Sequence, residues 1–398
     1  MTTLVAVVAA WVDSHATASE PEVIVGPSEA TRRRLDAVPV LTSTYRAFPG
    51  LRNQHVSTIF PTFFRSPHSS VHYFREVVPM PNGGHVTLDW QHAPARPRDE
   101  PLLPDTAPLL LLLSGIAGGS ADAYVQHMVA DATAAGFRVV CMNARGCAQS
   151  PVTSPQFYSA SWTGDVRAVV KLLRSRFQKV PFFACGWSLG GNILVNYLGE
   201  EGQNEGEQQL LDGAVSLGNP FDLVTCDRAL ETTRMGRIYS RSMGSGLRRV
   251  FAPHEALFRG LGHIDVEGTA RAATVREFDE AMTRRTFGFA SVDEYYQKSG
   301  SKYRLPHVRV PLLCIQAKDD PIAVDEAIPR EAAAANPHVA LVITPSGGHL
   351  GWMTAGASPL GRPWPYLGVI SWLTLLTAEI RGVEKVTDVR SFAGAGAQ

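Results

Sequence analysis

A serine in the pentapeptide Gly186-Trp187-Ser188-Leu189-Gly190 has the sequence neighbours of a nucleophile. The apolar run Val180–Cys185 before it predicts a short buried strand, and residues 192–198 after it predict a helix. In this strand–turn–helix setting, small residues two positions away on either side allow a sharp turn that holds the serine hydroxyl out from the sheet. Ser188 is therefore a candidate nucleophile for making or breaking esters.

Two further residues are candidates for activating this serine, because a serine needs a base and the base needs an orienting acid. In such sites the acid and then the histidine follow the serine along the chain. His349, in the loop Ser346–His349 after the last predicted core strand, is the candidate base. Asp320 is the candidate acid, because it would open the turn that follows a strand. The adjacent Asp319 is the alternative, since both lie within loop reach.

A tetrahedral intermediate would also need two backbone N–H donors to hold its negatively charged oxygen. Leu189 would supply one donor, and Ile116 in the glycine-rich loop 114–119 would supply the other. The same loop could instead cradle a phosphate, but it lacks the Lys-Ser/Thr ending of a P-loop and the spacing of a dinucleotide fingerprint. The sequence contains no metal-binding spacing of histidine, acid and cysteine, so we expect neither a metal nor another cofactor.

The segments that must position these residues alternate between strands and helices. Apolar runs predict strands at 109–113, 138–143, 180–185, 213–217, 311–317 and 339–344. Helical patterns lie at 121–135, 161–177, 192–198, 325–335 and 365–380. This alternation predicts an α/β fold with a mostly parallel sheet covered on both faces. Stretches 71–78 and 85–92, around the turn 81–84, predict an antiparallel hairpin at its N-terminal side.

Residues 223–305 interrupt the alternation of strands and helices in the predicted core, which comprises residues 69–222 and 306–382. They have helical periodicity without a convincing strand, and a lid above the carboxyl edge of the sheet is the favoured interpretation. A helical pack on the flank of the sheet is the alternative. Residues 1–68 are expected to form an N-terminal extension with little regular structure before Ala30. Proline-rich residues 93–107 predict a loop, and 383–398 a C-terminal tail.

The composition limits the classes of partner and compartment. Lys and Arg together number 37, as do Asp and Glu, so the basic excess of a nucleic-acid binder is missing. Five scattered cysteines without a C-x-x-C pair are typical of reduced thiols and predict an intracellular, cytoplasmic protein. The apolar run Leu4–Val12 is shorter than the roughly 20 residues of a membrane span. It predicts a short buried or membrane-touching helix, so peripheral membrane contact stays open, as does the oligomeric state.

Several separated motifs resemble those of the YheT-like subfamily of α/β-hydrolases. Gly186–Leu198 is similar to its elbow G-x-S-L-G-G-N-x-L-x-x-Y-L, and Lys318–Pro321 and Gly347–Gly351 are similar to its acid and base loops. The remaining matches are Arg52–Ile59 with an N-x-H-x-Q-T signature, Asn143–Cys147 with an F-R-G-C segment, and a lid segment comprising Phe278-Asp279, Thr283, Gly288-Phe289 and Tyr295-Tyr296. Two departures concern substrate shape: Ser57 replaces the usual glutamine, and Asn143-Ala144 replaces an aromatic residue.

The resemblance implies an α/β-hydrolase fold and a Ser188–Asp320–His349 triad. It favours Asp320 over Asp319, because the acid of the family aligns with the aspartate before proline. Members act on carboxylic esters, often medium-chain acyl esters, glycerolipids or phospholipids, and some transfer the acyl group to alcohols. Our leading hypothesis is a serine esterase or lipase that forms an acyl-enzyme on a small-molecule or lipid ester. The alternatives are an acyltransferase to alcohols and a non-catalytic protein that binds lipids or partners on a hydrolase scaffold.

Overall fold

One nine-stranded sheet organises the computed structural model, which describes residues 19–92, 103–204, 209–355 and 358–383. Its strands, in chain order, are β1 Glu22–Val25, β2 His72–Pro79, β3 His85–His92, β4 Leu109–Leu113, β5 Arg138–Asn143, β6 Phe182–Trp187, β7 Gly213–Leu217, β8 Leu312–Ala317 and β9 Val339–Thr344. Their order across the sheet is β1-β9-β8-β7-β6-β4-β5-β3-β2.

The middle of the sheet is parallel and its two ends are antiparallel. Strands β5, β4, β6, β7, β8 and β9 run in one direction. The hairpin of β2 and β3 joins antiparallel to β5, and β1 joins antiparallel to β9. The predicted α/β fold with a mostly parallel sheet and an N-terminal hairpin is therefore confirmed. All the carboxyl ends of the parallel strands meet at one edge, where loops can bring distant residues together.

Fourteen α-helices lie in the described residues. They are α1 Glu29–Asp36, α2 Gln54–Phe64, α3 Ala123–Ala134, α4 Gly164–Arg176, α5 Leu189–Gln203, α6 Leu223–Thr232, α7 Arg234–Phe251, α8 Glu255–Phe258, α9 Val266–Arg271, α10 Val275–Phe278, α11 Arg284–Thr286, α12 Val292–Ser299, α13 Arg330–Ala335 and α14 Pro365–Ile380. A π-helix at Asp279–Thr283 joins α10 to α11.

The two faces of the sheet are buried by different helices, as the two-sided cover of a parallel sheet requires. One face packs against α4 and α5 through residues such as Val169 and Val195. The other packs against α1, α3 and α14 through residues such as Met128 and Trp372. The strand residues in both clusters are almost completely buried, which accounts for the unbroken apolar runs in the sequence.

Residues 223–305 are helical where β7 would otherwise lead directly into β8. They contain α6 to α12, and no strand occurs in this part of the described chain. Phe251, Phe258, Phe278 and Met282 from this segment form an apolar cluster with Phe157 of the core. The insertion therefore has a small core of its own that is joined to the loops at the carboxyl edge of the sheet.

The prediction of little regular structure before Ala30 is wrong. Residues Glu22–Val25 form an edge strand in register with Ala340–Ile343 of β9. The strand depends on a partner more than 300 residues away, and its four residues carry no local signal strong enough to reveal it. Leu35, Leu41 and Tyr45 then enter the core beneath α14. The run Leu4–Val12 lies outside the described residues, as do residues 93–102 of the predicted loop and the C-terminal tail beyond residue 383.

The predicted helix at 325–335 is also divided. A short 3₁₀ turn at Asp325–Ala327 is followed by α13, which begins directly after Pro329. A proline has no N–H to continue the preceding helix, and it disfavours helical geometry in the residue before it.

The remaining helix and strand predictions agree with the structure to within a few residues.

All five cysteines are buried and free. Among the described residues, no helix has both the length and the apolar composition needed to cross a bilayer.

Candidate active site

Ser188 lies at a strained turn between β6 and α5. Its φ is 50° and its ψ is −121°, a conformation that residues with a side chain rarely adopt. The glycines two positions away make the turn possible. A Cβ at Gly186 would lie 2.5 Å from the carbonyl oxygen of Gly190, and one at Gly190 would lie 2.3 Å from that of Leu113. The predicted elbow is therefore present, with the serine at the N-terminus of a 15-residue helix.

His349 and Asp320 lie in line with this serine. The Nε2 atom of His349 is 3.0 Å from the Ser188 Oγ, and its Nδ1 atom is 2.8 Å from Asp320 Oδ2. The other carboxylate oxygen of Asp320 accepts hydrogen bonds from the backbone N–H groups of Ile322 and Ala323, at 2.8 and 2.9 Å. Three residues that span 161 positions of the chain, from Ser188 to His349, thus form one continuous chain of hydrogen bonds.

The partners of His349 determine its tautomer. An ionised carboxylate can only accept, so Nδ1 carries the proton that is donated to Asp320. Nε2 is then an acceptor, and the Ser188 hydroxyl donates to it. The His349 side chain is 11% exposed and that of Asp320 is 0% exposed, so little water competes for these hydrogen bonds.

Asp319 has a different position from its neighbour. Its Oδ1 accepts the backbone N–H of Gly348 at 2.9 Å, which ties the end of β8 to the loop that carries His349. Burial is the main cause that raises the pKa of the Asp319 carboxyl to about 6; the hydrogen bond from Gly348 opposes this shift and the charge of Asp320 contributes to it. Among the described residues, Asp320 is the one carboxylate bonded to the imidazole of His349, whereas Asp319 supports the backbone beside it.

Helix α2 packs against the His349 loop. Thr58 Oγ1 accepts the backbone N–H of His349 at 2.9 Å and donates to the carbonyl of Gln54 at 2.7 Å. At the other end of the helix, Arg65 donates from Nη2 to the carbonyl of Gly351 at 2.8 Å. The contact requires glycine at position 348, where φ is 58° and a Cβ would lie 2.8 Å from both Gln54 O and Thr58 Oγ1. Helix α2 and Arg65 thus hold the backbone of the loop that carries the His349 imidazole.

The loop 114–119 places a donor next to the serine. Gly115 N–H donates to Tyr124 Oη at 2.9 Å, and Ala117 N–H donates to Tyr158 Oη at 2.7 Å. The N–H between them, on Ile116, has no protein acceptor in the described chain, and neither has that of Leu189. A Cβ at Gly115 would lie 3.4 Å from the Ser188 Cβ, so this loop is in contact with the nucleophile candidate.

A cavity opens above Ser188 between the core and the helical insertion. The space, counted together with its opening to solvent, measures about 890 Å³, and its lining is mostly apolar. The core contributes Ile116, Phe157 and Leu189, and the insertion contributes residues such as Leu247 and Phe278. Such a space is suited to an acyl chain whose carbonyl carbon lies at the serine.

The structure brings all the site residues predicted from the sequence to one edge of the sheet. Ser188, Asp320 and His349 are in hydrogen-bond contact, and Ile116 and Leu189 flank the serine. Sequence reasoning missed the supporting residues Thr58, Tyr124 and Tyr158. Thr58 is the threonine of the N-x-H-x-Q-T-like motif, and that motif was the available signal. No group of three or more His, Cys, Asp or Glu in the described chain has metal-binding geometry.

A profile of the alpha/beta hydrolase fold matches residues 108–355, which is more than half of the chain. Together with the sheet order and the serine elbow, this match shows that the chain belongs to the α/β-hydrolase family.

Curated relatives narrow the class. The chain is 44% identical to the embryogenesis-associated protein EMB8 of Picea glauca over 89% of this chain and 77% of that protein. It is 33% identical to a monoacylglycerol lipase of Saccharomyces cerevisiae, over 79% and 76%. It is 29% identical to the putative esterase YheT of Escherichia coli, over 82% and 91%. Within the family the chain is a YheT-like hydrolase of the esterase and lipase type.

Proposed function

We propose that the protein is a serine carboxylic-ester hydrolase that acts through an acyl-enzyme on Ser188. The observation that carries this proposal is the hydrogen-bond chain from Ser188 Oγ to His349 Nε2, at 3.0 Å, and from His349 Nδ1 to Asp320, at 2.8 Å. A neutral hydroxyl is a weak nucleophile, and this chain supplies both the base and the group that orients it.

The reaction proceeds in two halves. Ser188 Oγ attacks the acyl carbonyl carbon while His349 Nε2 takes the hydroxyl proton, and the imidazolium then protonates the departing alcohol oxygen. Water attacks the acyl-enzyme with His349 again acting as base, and the carboxylic acid leaves as Ser188 recovers its proton. The Asp320 carboxylate stabilises the imidazolium in each half without taking its proton.

The negative oxygen of each tetrahedral intermediate would be held by the N–H groups of Ile116 and Leu189. Both donors are free of protein acceptors in the described chain and both flank Ser188. The Tyr124 and Tyr158 hydroxyls fix the loop on either side of Ile116, so the donor is oriented before substrate arrives. Preorganised donors of this kind each contribute about 10²–10³ in rate.

We further propose that residues 223–305 form a lid over the core of residues 69–222 and 306–382, and that the substrates are medium-chain or lipid esters. Apolar side chains of α7 and α10 line the cavity above Ser188, and apolar residues make up most of its lining, in which Asp227 and Asp279 are the charged groups. The monoacylglycerol lipase among the relatives is consistent with this class.

A series of p-nitrophenyl esters of rising acyl length tests the proposed function. We expect kcat/KM to increase from acetyl to medium-chain acyl groups, because each buried CH₂ contributes about 0.8 kcal/mol. Addition of ethanol, with quantification of free acid against ethyl ester, separates hydrolysis from transfer to an alcohol. Tight binding of esters without turnover would instead support the non-catalytic alternative, and a preference for acetyl esters would contradict the lipid-ester assignment.

Thr58 provides a test of how the base is positioned. In Thr58→Val the His349 N–H loses its acceptor, and we expect kcat to fall roughly tenfold with KM little changed, because a small displacement of the base is costly. Thr58→Ser keeps the oxygen and is the matched control, with a kcat close to that of the wild type. Steady-state kinetics and thermal unfolding of both variants check this. An equal loss of kcat in Thr58→Ser would contradict the role of the Oγ1 atom.

A further inference from the structure

One carboxyl group in the wall of the cavity has no part in the proposed reaction. Asp279, the first residue of the π-helix Asp279–Thr283, lines the same cavity as Ser188 and is 8% exposed. It lies where the two apolar clusters of the insertion meet, since Phe278 belongs to one and Tyr296 to the other. π-helical turns interrupt regular helices and are frequent at functional sites.

The Asp279 carboxylate can accept more hydrogen bonds than it receives from the protein. Tyr296 donates its hydroxyl to Asp279 Oδ2 at 2.9 Å, and the nearby Thr283 side chain lowers the pKa of the carboxyl. A carboxylate has about four acceptor positions, so at least two of them remain for a ligand in the cavity.

Asp279 also has no ion-pair partner among the described residues. The guanidinium of Arg276, whose charge lowers the pKa of Asp279, is directed elsewhere: Nη1 bonds Asp227 and Nη2 bonds Asp293, each at 2.6 Å. Burial is the main cause that raises the pKa of Asp279 to about 6, and the side chains of Thr283 and Tyr296 oppose this shift. At neutral pH the group is mostly an anion in an apolar wall, and a further hydrogen-bond donor would lower the free energy of that buried charge.

The surroundings favour a neutral donor over a cation. Aromatic rings near a carboxylate can form a cage for a quaternary ammonium. However, the guanidinium of Arg276 already lies over the Tyr296 ring, with Cζ 5.9 Å from the ring centroid. A second cation would have to share this ring with the guanidinium, whereas a hydroxyl needs only a free acceptor position on Asp279.

We propose that Asp279, together with Tyr296 and Thr283, forms a polar subsite that accepts a hydrogen bond from a hydroxyl group of the ester substrate. The inference rests on the proposed ester hydrolysis and adds a substrate class to it: esters with a free hydroxyl on the alcohol or acyl part. Asp279 is in this view a specificity-determining residue, because it distinguishes substrates without taking part in the bond-making steps.

Matched esters test this subsite in the purified 398-residue chain. One pair is the monoglycerol ester of a medium-chain acid and the propyl ester of the same acid; the other is a methyl ester whose acyl chain ends in hydroxyl or in methoxy. The wild type should prefer the hydroxyl-bearing ester of at least one pair. In Asp279→Asn the ratio of kcat/KM within that pair should fall about tenfold, because a bond to a neutral acceptor is weaker than one to a charged acceptor.

Three controls separate the subsite from a structural role. The double variant Asp279→Leu, Tyr296→Phe removes the carboxylate without leaving a buried phenol unpaired, and it should abolish the preference. Asp293→Asn removes an exposed carboxylate from the same Arg276 and should retain the wild-type ratio. In Asp293→Asn the kcat/KM for the hydroxyl-free ester should stay within about threefold of the wild type, and in the Asp279 variants it should fall less than the kcat/KM for the hydroxyl-bearing ester.

Several outcomes would overturn the inference. An unchanged ratio in Asp279→Asn, or an equal loss for both esters of a pair, would make Asp279 purely structural. If the wild type hydrolyses the choline ester of the same acid with a higher kcat/KM than the monoglycerol ester, the subsite recognises a cation and not a hydroxyl group. If the wild type hydrolyses every ester without a preference, this inference fails and the proposed function remains. If folded wild type hydrolyses none of them, the proposed function itself fails.

Discussion

Ser188→Ala is expected to lower kcat/KM for any hydrolysed ester by about 10⁴- to 10⁶-fold, because no acyl-enzyme can form without the nucleophilic oxygen. Labelling by a fluorophosphonate probe, followed by gel detection, should disappear in the same variant. Removal of one buried hydroxyl leaves the apolar packing of β6 and α5 intact, so the thermal midpoint should change by no more than a few degrees.

Ser159→Ala is the matched control for this experiment. Ser159 lies in the wall of the same cavity and hydrogen-bonds Ser161 at 3.0 Å, but it has no contact with His349. We expect its alanine variant to retain labelling and most of the esterase activity. Undiminished labelling of Ser188→Ala, or failure of folded wild type to react with the probe, would contradict the assignment of the nucleophile.

Asp320→Asn should lower kcat by about 10⁴-fold with a small change in KM, by analogy with the effect of such a change on serine triads. An asparagine can present its N–H₂ to His349 Nδ1, which then becomes the acceptor. The imidazole proton moves to Nε2, and that atom can no longer take the proton of Ser188. A steady-state comparison at pH 7–8 measures the loss, and fluorophosphonate labelling should slow in parallel.

Asp319→Asn is an unusually close control, because it makes the same chemical change one residue earlier. The asparagine oxygen can still accept the N–H of Gly348, which is the contact that Asp319 makes. We expect a loss in kcat of less than about tenfold. If instead the Asp319 variant loses about 10⁴-fold and the Asp320 variant is nearly unaffected, the two aspartates exchange roles.

The core of the fold was accessible from the sequence because its signals are local. Leu109–Leu113, Arg138–Asn143 and Val339–Thr344 are strands with the predicted bounds, since each is a buried apolar run between helices. β1 could not be found in this way. It is an edge strand whose stability comes from pairing with β9, and a four-residue segment contains no information about so distant a partner.

In the candidate site, too, local sequence signals predicted some features, whereas others depend on contacts between distant residues. Chain order and loop position indicated Ser188 and His349, but spacing alone left Asp319 and Asp320 as alternatives. Their difference is one of direction: one carboxylate faces the imidazole and the other faces the backbone of Gly348. The polar subsite around Asp279 was beyond prediction, because it depends on which side chains of the insertion meet across the cavity.

The contact of α2 with the His349 loop has a consequence for biosynthesis. Thr58 and His349 are 291 residues apart, and Arg65 and Gly351 are 286 apart, so the earliest described part of the chain binds one of the last. At a translation rate of about 5–20 residues per second, Thr58 emerges roughly 15–60 s before its partner. Only in the later part of that interval can a ribosome-bound chain hold Ser188 on its elbow, and it then still lacks the supported base. The proposed esterase activity should therefore begin only after residue 349 has been synthesised, and a polypeptide interrupted before that residue should not hydrolyse ester substrates.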